Sequence, residues 1–140
     1  GLKQRMNGHK HALNEAGISF DPDLVAYGDY TRYSGQLAAE KLLALPDPPT
    51  AIFAFNDRMA MGATWALNAA GLRVPQDIAI VGFDDIPAAA DFSPPLTTVK
   101  QSSLDMGRVA TQMLLKLIAG EPVTERRVVL PAELILREST

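Results

Sequence analysis

The stretch AIFAFNDRMAMGATWALNAAGLRVPQDIAIVGFDDI, Ala51 to Ile86, decides the reading of the whole chain. Two apolar runs, Ala51 to Phe55 and Ile78 to Phe83, end in Asn56-Asp57 and Asp84-Asp85. A short, continuous apolar run bounded by turn residues is a strand covered on both faces, as a parallel sheet between helix layers requires. Between them, Arg58 to Ala70 has a helical composition and is stopped by Gly71 and Pro75, so the unit is a βαβ crossover. In open sheets of this kind ligands sit beyond the carboxyl ends of the strands, where Asn56, Asp84 and Asp85 fall. A polar small-molecule site is the first expectation.

Upstream, Leu2, Met6, His9, Leu13 and Ala16 recur at helical spacing before Gly17, predicting a helix over 2–16. Leu24 to Tyr27 reads as a short strand and Gly28-Asp29 as a turn, with Thr31 capping a helix that carries Leu37, Ala38, Lys41, Leu42 and Leu45. The Pro46 to Pro49 cluster ends that helix. The alternation predicts an α/β fold, a doubly wound, mostly parallel sheet flanked by helices. Beyond Asp85 the rhythm changes. Pro87, Pro94 and Pro95 make 87–95 irregular, and Leu96 to Lys100 is a short extended run. Ser103 is placed to cap an amphipathic helix bearing Met106, Val109, Ala110, Met113, Leu114 and Leu117, with Val128 to Leu130 and Leu134 to Leu136 as closing strands around Pro131.

The 140 residues are 47% hydrophobic and 21% charged, with 13 basic and 16 acidic side chains and a formal net charge of −3. That is a folded globular composition. Cations are scattered, with only Arg126 and Arg127 adjacent, so this piece is a poor holder of a phosphate backbone. Without cysteine there is no disulfide or thiolate metal site, and no run approaches the roughly 20 apolar residues of a membrane span. The chain opens at Gly1 without an initiator methionine, so the natural N-terminus is expected further upstream.

Each candidate has a bland reading beside the functional one. One of Asn56 and Asp57 suffices to cap the following helix, and the reading assigns the cap to Asp57 and ligand contact to Asn56, whose amide both donates and accepts. Asp84-Asp85 reads as turn chemistry, a metal site, an acid and base pair, or an acceptor for vicinal hydroxyls or a ring N–H. Metal is disfavoured because His9 and His11, the only histidines, point to different faces of their helix. Catalysis lacks a nucleophile elbow, a glycine-rich phosphate loop and a Cys/His pair. The chain is therefore read as a non-enzyme that needs no metal or cofactor, and Arg5, Tyr30 and Gln101 complete the polar candidates.

PPTAIFAFNDRMAMGA (48–63), GLRVPQDIAIVGFDDI (71–86), PPLTTVKQ (94–101) and LPAELILREST (130–140) together resemble the lactose-repressor/galactose-repressor (LacI/GalR) family of bacterial transcription regulators. The likeness covers essentially the whole chain, in the family's order and spacing. It implies the C-terminal part of an effector-sensing domain with the type I periplasmic-binding-protein-like fold. By that resemblance 1–102 and 131–140 form the C-terminal lobe, 103–130 is a return segment of the N-terminal lobe, and the N-terminal helix-turn-helix domain is not part of this chain. It assigns Arg5, Asn56, Asp84 and Gln101 to the effector, a sugar or related metabolite, with Tyr30 stacking on it. It implies a cytoplasmic homodimer that binds operator DNA through the separate domain, with no membrane partner. The alternative is the solute-binding protein of a sugar transporter.

The dimer contact is expected on the helix after Asn56-Asp57. On a helical wheel Met59, Ala63, Ala66, Leu67 and Ala70 cover the sheet, leaving Met61 and Trp65 as an outward ridge. The resemblance adds Phe92 to that patch. The stripe from Met106 to Leu117, belonging by the resemblance to the other lobe, is expected to be exposed or to lie against another chain.

Overall fold

A computed structural model describes residues 2–140. The elements run α1 (Leu2–Glu15), a 3-10 turn (Pro22–Leu24), α2 (Arg32–Leu43), β1 (Ala51–Phe53), α3 (Asp57–Ala69), β2 (Ala79–Asp84), α4 (Pro87–Ala90), β3 (Thr97–Gln101), α5 (Ser103–Ile118) and β4 (Ala132–Ile135). They build one mixed sheet in the order β1-β2-β3-β4, in which β1, β2 and β3 are parallel and β4 is antiparallel to β3. The βαβ unit read from Ala51 to Ile86 is present, and the α/β layer fold is confirmed. Because the three parallel strands share a direction, Phe55, Asp84 and Gln101 come out along one edge.

The core is small-residue rich. Ala39, Ala60, Met61, Ala63, Ala66 and Leu67 are buried with Ile78, Ile80, Ala89 and Leu96. Helices α2 and α3 meet almost backbone to backbone because Gly35 faces the Met59 main chain and Gly62 faces the Arg32 main chain. Side chains there would hold the helices apart, since interiors are close-packed.

Five expectations are corrected. Pro87–Ala90 forms the short helix α4 where irregular chain was expected, with Pro87 at its start, where a missing N–H costs nothing. Leu24 to Tyr27 is not a strand: Leu24 closes the 3-10 turn, and the chain after it has no pairing partner. An apolar cavity of about 570 Å³ separates that segment from β1 and is roofed by Leu2, Met6, His9 and Leu13 of α1. Val128 to Leu130 is likewise unpaired, and the final strand is Ala132–Ile135 alone. Ser102 rather than Ser103 sits at the N-cap of α5, its hydroxyl bonding Asp105. Most consequential, Met61 is 0% exposed. The wheel placed it on an outward ridge, whereas the side chain is enclosed in the core cluster, with the Arg32 guanidinium of α2 reaching its sulfur at 3.4 Å.

Trp65 does stay outside, 47% exposed, with the Arg32 guanidinium carbon 5.3 Å from its ring centroid. Phe92 is partly buried against the core cluster. Helix α5 has no buried residue: of the expected stripe Met106, Leu114 and Leu117 are exposed, while Val109 and Met113 are half-buried. No helix among the described residues is long and apolar enough to cross a membrane.

Candidate effector site

The polar residues at the carboxyl edge of the sheet come together. Gln101, the last residue of β3, donates from Nε2 to Asp84 Oδ1 at 2.7 Å. Arg5 reaches the same oxygen from α1 with Nη2 at 3.8 Å and donates through Nη1 to the Phe55 carbonyl. Its guanidinium carbon lies 3.7 Å from the Phe83 ring centroid, so Arg5 is stacked and forked, an arrangement that suits a planar guanidinium and not an ammonium. The side chains of Arg5 and Asp84 remain 20% and 36% exposed. An ion pair that open contributes about 0–1 kcal/mol, so it orients more than it stabilises.

Asn56 and Tyr30 adjoin this cluster through the backbone. Asn56 Nδ2 donates to the Tyr30 carbonyl at 3.0 Å, and its Oδ1 accepts from Met59 N–H at 2.8 Å. The cap falls on Asn56 and not, as the sequence reading had it, on Asp57. Capping leaves Asn56 one amide hydrogen and one acceptor lone pair for other work. Asp57 lies instead beneath the turn after β2, 0% exposed, accepting from Ile86 N–H at 2.8 Å and from the Thr98 hydroxyl. Burial pushes its carboxyl up from the usual value, with the Thr98 hydrogen bond opposing.

Tyr30 follows a loop ordered by its own side chains. Asp29 Oδ1 accepts from the Thr31 hydroxyl at 2.6 Å and from Thr31 N–H at 3.1 Å, while Asp29 N–H donates to the Ser34 hydroxyl at 3.0 Å. The Thr31 hydroxyl contact, ahead of that with Ser34, holds the Asp29 carboxyl down to about 2. Thr31 is the N-cap of α2, as expected. Tyr30 itself has φ 69° and a ring left substantially exposed.

Among the described residues, the non-glycine residues at positive φ are Tyr30 at 69°, Asp84 at 116° and Asp85 at 53°. All three border the same edge. Such conformations cost of order 1–3 kcal/mol each and persist where surroundings over-determine them, a pattern of binding sites. Asp85 does not join the cluster. It is paired with Arg137, Nη2 to Oδ1 at 2.7 Å. Sequence reasoning passed over Arg137 and Thr98, because nothing in LREST or LTTV marks a partner 52 or 41 positions away.

An open, mainly parallel sheet with a convergent polar cluster beyond its strand ends is an α/β arrangement with room for a polar ligand at that edge. The chain belongs to the periplasmic-binding-protein-like domain family, whose model matches residues 2–140. It is 42% identical over 136 residues to the transcriptional repressor CytR of Escherichia coli K12, covering 97% of this chain and 40% of that protein. The repressor PurR of Aliivibrio salmonicida is 40% identical over 137 residues, 98% of this chain and 41% of PurR. Among solved structures, a complex of the transcriptional regulator CelR with cellobiose has a TM-score of 0.92 at 42% identity, over 97% of this chain and 42% of that one. A putative LacI regulator from Bacillus cereus reaches a TM-score of 0.95 at 32% identity, over 99% of this chain and 49% of its own. These relatives are LacI-family regulators, and the chain spans about 40% of the length of the curated ones.

Proposed function

We propose that this chain is the effector-binding and dimerisation part of a bacterial LacI/GalR-type transcription regulator, a repressor that responds to a sugar or related polar metabolite. The observation that carries the reading is the meeting of Asp84, Gln101 and Arg5 at the carboxyl edge of the parallel strands. Both contacts to Asp84 use Oδ1, leaving Oδ2 to accept a ligand hydroxyl or ring N–H. Gln101 and Arg5 supply donors beside it, the remaining amide hydrogen of Asn56 adds another, and the exposed Tyr30 ring offers a stacking face. The site binds without turnover.

Residues 103–130 belong to the second lobe, which the bare apolar surface of α5 supports. The effector closes the cleft between lobes and, by binding one lobe arrangement better than the other, changes the affinity of a separate helix-turn-helix domain for operator DNA. The protein acts in the cytoplasm as a homodimer. Trp65 and its stacked Arg32 form the centre of the two-fold contact and Phe92 its margin, while the buried Met61 is no part of it.

The test is a thermal-shift screen of full-length protein with cellobiose, other sugars, nucleosides and nucleobases, followed by DNA mobility shifts with each hit. Removing a charged hydrogen-bonding group costs about 1.5–3 kcal/mol, so Asp84→Ala should weaken the hit roughly 10- to 150-fold. A hit that binds Asp84→Ala and Gln101→Ala as well as the parent, or leaves DNA affinity unchanged, would overturn the reading.

A further inference from the structure

We infer that Asp57 and Arg137 are positioning residues that hold Asp84 in the conformation presenting its carboxylate to Gln101 and Arg5. The inference rests on the effector-site reading of Asp84 for its functional meaning, and on geometry for everything else. Asp84 and Asp85 sit at φ 116° and 53°, a backbone state that residues with a Cβ leave unless they are restrained. The restraints fall on the next two positions. Ile86 N–H is tied at 2.8 Å to Asp57 Oδ2. Asp57 Oδ1 accepts a hydrogen bond from the Thr98 hydroxyl, which leaves the Thr98 oxygen to accept from Asp85 N–H at 3.4 Å.

From the other side Arg137 grips the Asp85 carboxylate through Nη2 and the Leu96 carbonyl through Nη1, both at 2.7 Å. Its own N–H donates to Thr97 Oγ1 at 2.9 Å. The turn is thereby held to β3 and to the C-terminal segment at once. Gly82 makes room, because a Cβ there would press on Asp57 Oδ1.

A buried carboxylate with no cation in contact is an expensive way to start a helix. Capping does not explain Asp57, since Asn56 already fills that place. Nor does the pairing of Asp85 explain itself as binding, since Arg137 occupies it. What the two ties share is the Asp84-Asp85 backbone, and Asp84 alone of the pair is left facing Gln101.

The test compares crystal structures of the full-length protein carrying Asp57→Ala, Arg137→Met or both, with Arg73→Ala, which breaks the exposed Arg73 pair with Asp77, as control. Positioning predicts that Asp84 or Asp85 returns to negative φ and that the Gln101 to Asp84 hydrogen bond is lost, with no such change in the control. A purely structural role would lower the unfolding midpoint and leave both features intact, which would overturn the inference. Should Asp57→Ala not fold, Thr98→Val removes the hydroxyl links to Asp57 Oδ1 and Asp85 N–H with little change of volume while Ile86 N–H stays on Asp57 Oδ2, and retention of both positive φ values and of the Gln101 to Asp84 hydrogen bond when it is combined with Arg137→Met overturns the inference equally. Cellobiose titration of the same variants is read separately. Altered geometry with an effector response independent of Asp84 would sink the effector reading and leave the positioning intact.

Discussion

Replacing Gly62 by alanine should destabilise the protein even though alanine is the better helix former. Gly62 lies inside α3, where the exchange alone favours alanine by about 1 kcal/mol. A Cβ there would lie 2.8 Å from the Arg32 carbonyl carbon and 2.9 Å from the Gln36 nitrogen, and closer still to the Arg32 oxygen. Carbon contacts are comfortable at about 3.5–4.0 Å, so the helices must separate by about 1 Å. The obstacles are backbone atoms of the first turns of α2, which no rotamer change moves aside. Overpacking of this kind costs about 1–3 kcal/mol, and the rigid obstacle places Gly62→Ala at the upper end, a net loss of about 2 kcal/mol. Urea unfolding of the full-length protein, followed by circular dichroism, should lower the midpoint of this unit by about 1 M at an m-value of about 2 kcal/mol per M. Gly8 is the internal control: it lies in α1 with nothing within 4 Å of a built Cβ, so Gly8→Ala should be neutral or gain up to about 1 kcal/mol. A Gly62→Ala protein as stable as its parent would refute the close-packed reading of α2 against α3.

Met61→Ala removes a fully buried side chain and should cost about 2–5 kcal/mol without changing the sedimentation of the folded protein, since Met61 lies outside the proposed two-fold contact. Trp65→Glu should do the reverse, leaving folding nearly intact and shifting sedimentation toward monomer; a dimer unaffected by Trp65→Glu would move the contact elsewhere. Burial raises the Asp57 carboxyl above 3.8, so the native state keeps a proton that the unfolded chain releases. Its contribution is fully present below about pH 3.8 and is lost as pH rises through the raised value. The stability difference between parent and Asp57→Asn should therefore shrink, in the parent's disfavour, as pH rises from about 4 toward 7, and a flat difference would show that Asp57 titrates normally. Asp29 and Asp77, each held down to about 2, first by the Thr31 and Arg73 side-chain hydrogen bonds respectively, act in the opposite sense. Their contribution is present above about pH 3.8 and lost as pH falls toward 2. Asp77→Asn should accordingly flatten the acid limb of the stability profile.

What could be read in advance was whatever local pattern specifies. The βαβ unit was legible because apolar runs and a Gly71-Pro75 stop belong to adjacent residues, and the edge carrying Asp84 followed from parallel strand direction, whereas Gln101 joined it only through the family resemblance. Strand pairing is not local. Leu24 to Tyr27 has the pattern of a strand, yet the cavity of about 570 Å³ lies where its neighbour would be, and backbone donors without a ladder do not make one. A helical wheel likewise reports which face is apolar and says nothing of what covers it. The wheel set Met61 and Trp65 on one ridge, yet Met61 is enclosed in the core cluster with the Arg32 side chain on its sulfur while Trp65 stays out, and Met59, set on the sheet-facing stripe, is met by Gly35 of α2.

The cap was misread for a related reason. Asn56 and Asp57 are equally good caps in isolation, and the choice falls to partners 26 and 41 positions away, the Tyr30 carbonyl and the Thr98 hydroxyl. Once Thr98 and Ile86 claim the carboxylate, the amide is left to cap, and an amide can do both jobs because it accepts from Met59 while donating to Tyr30. A carboxylate at 56 would accept from Met59 equally well and would face the Tyr30 carbonyl oxygen with a second acceptor. Asn56→Asp should therefore keep α3 and loosen the Tyr30 loop. The division of labour between neighbouring Asx residues is thus set by whether the distant partner donates or accepts.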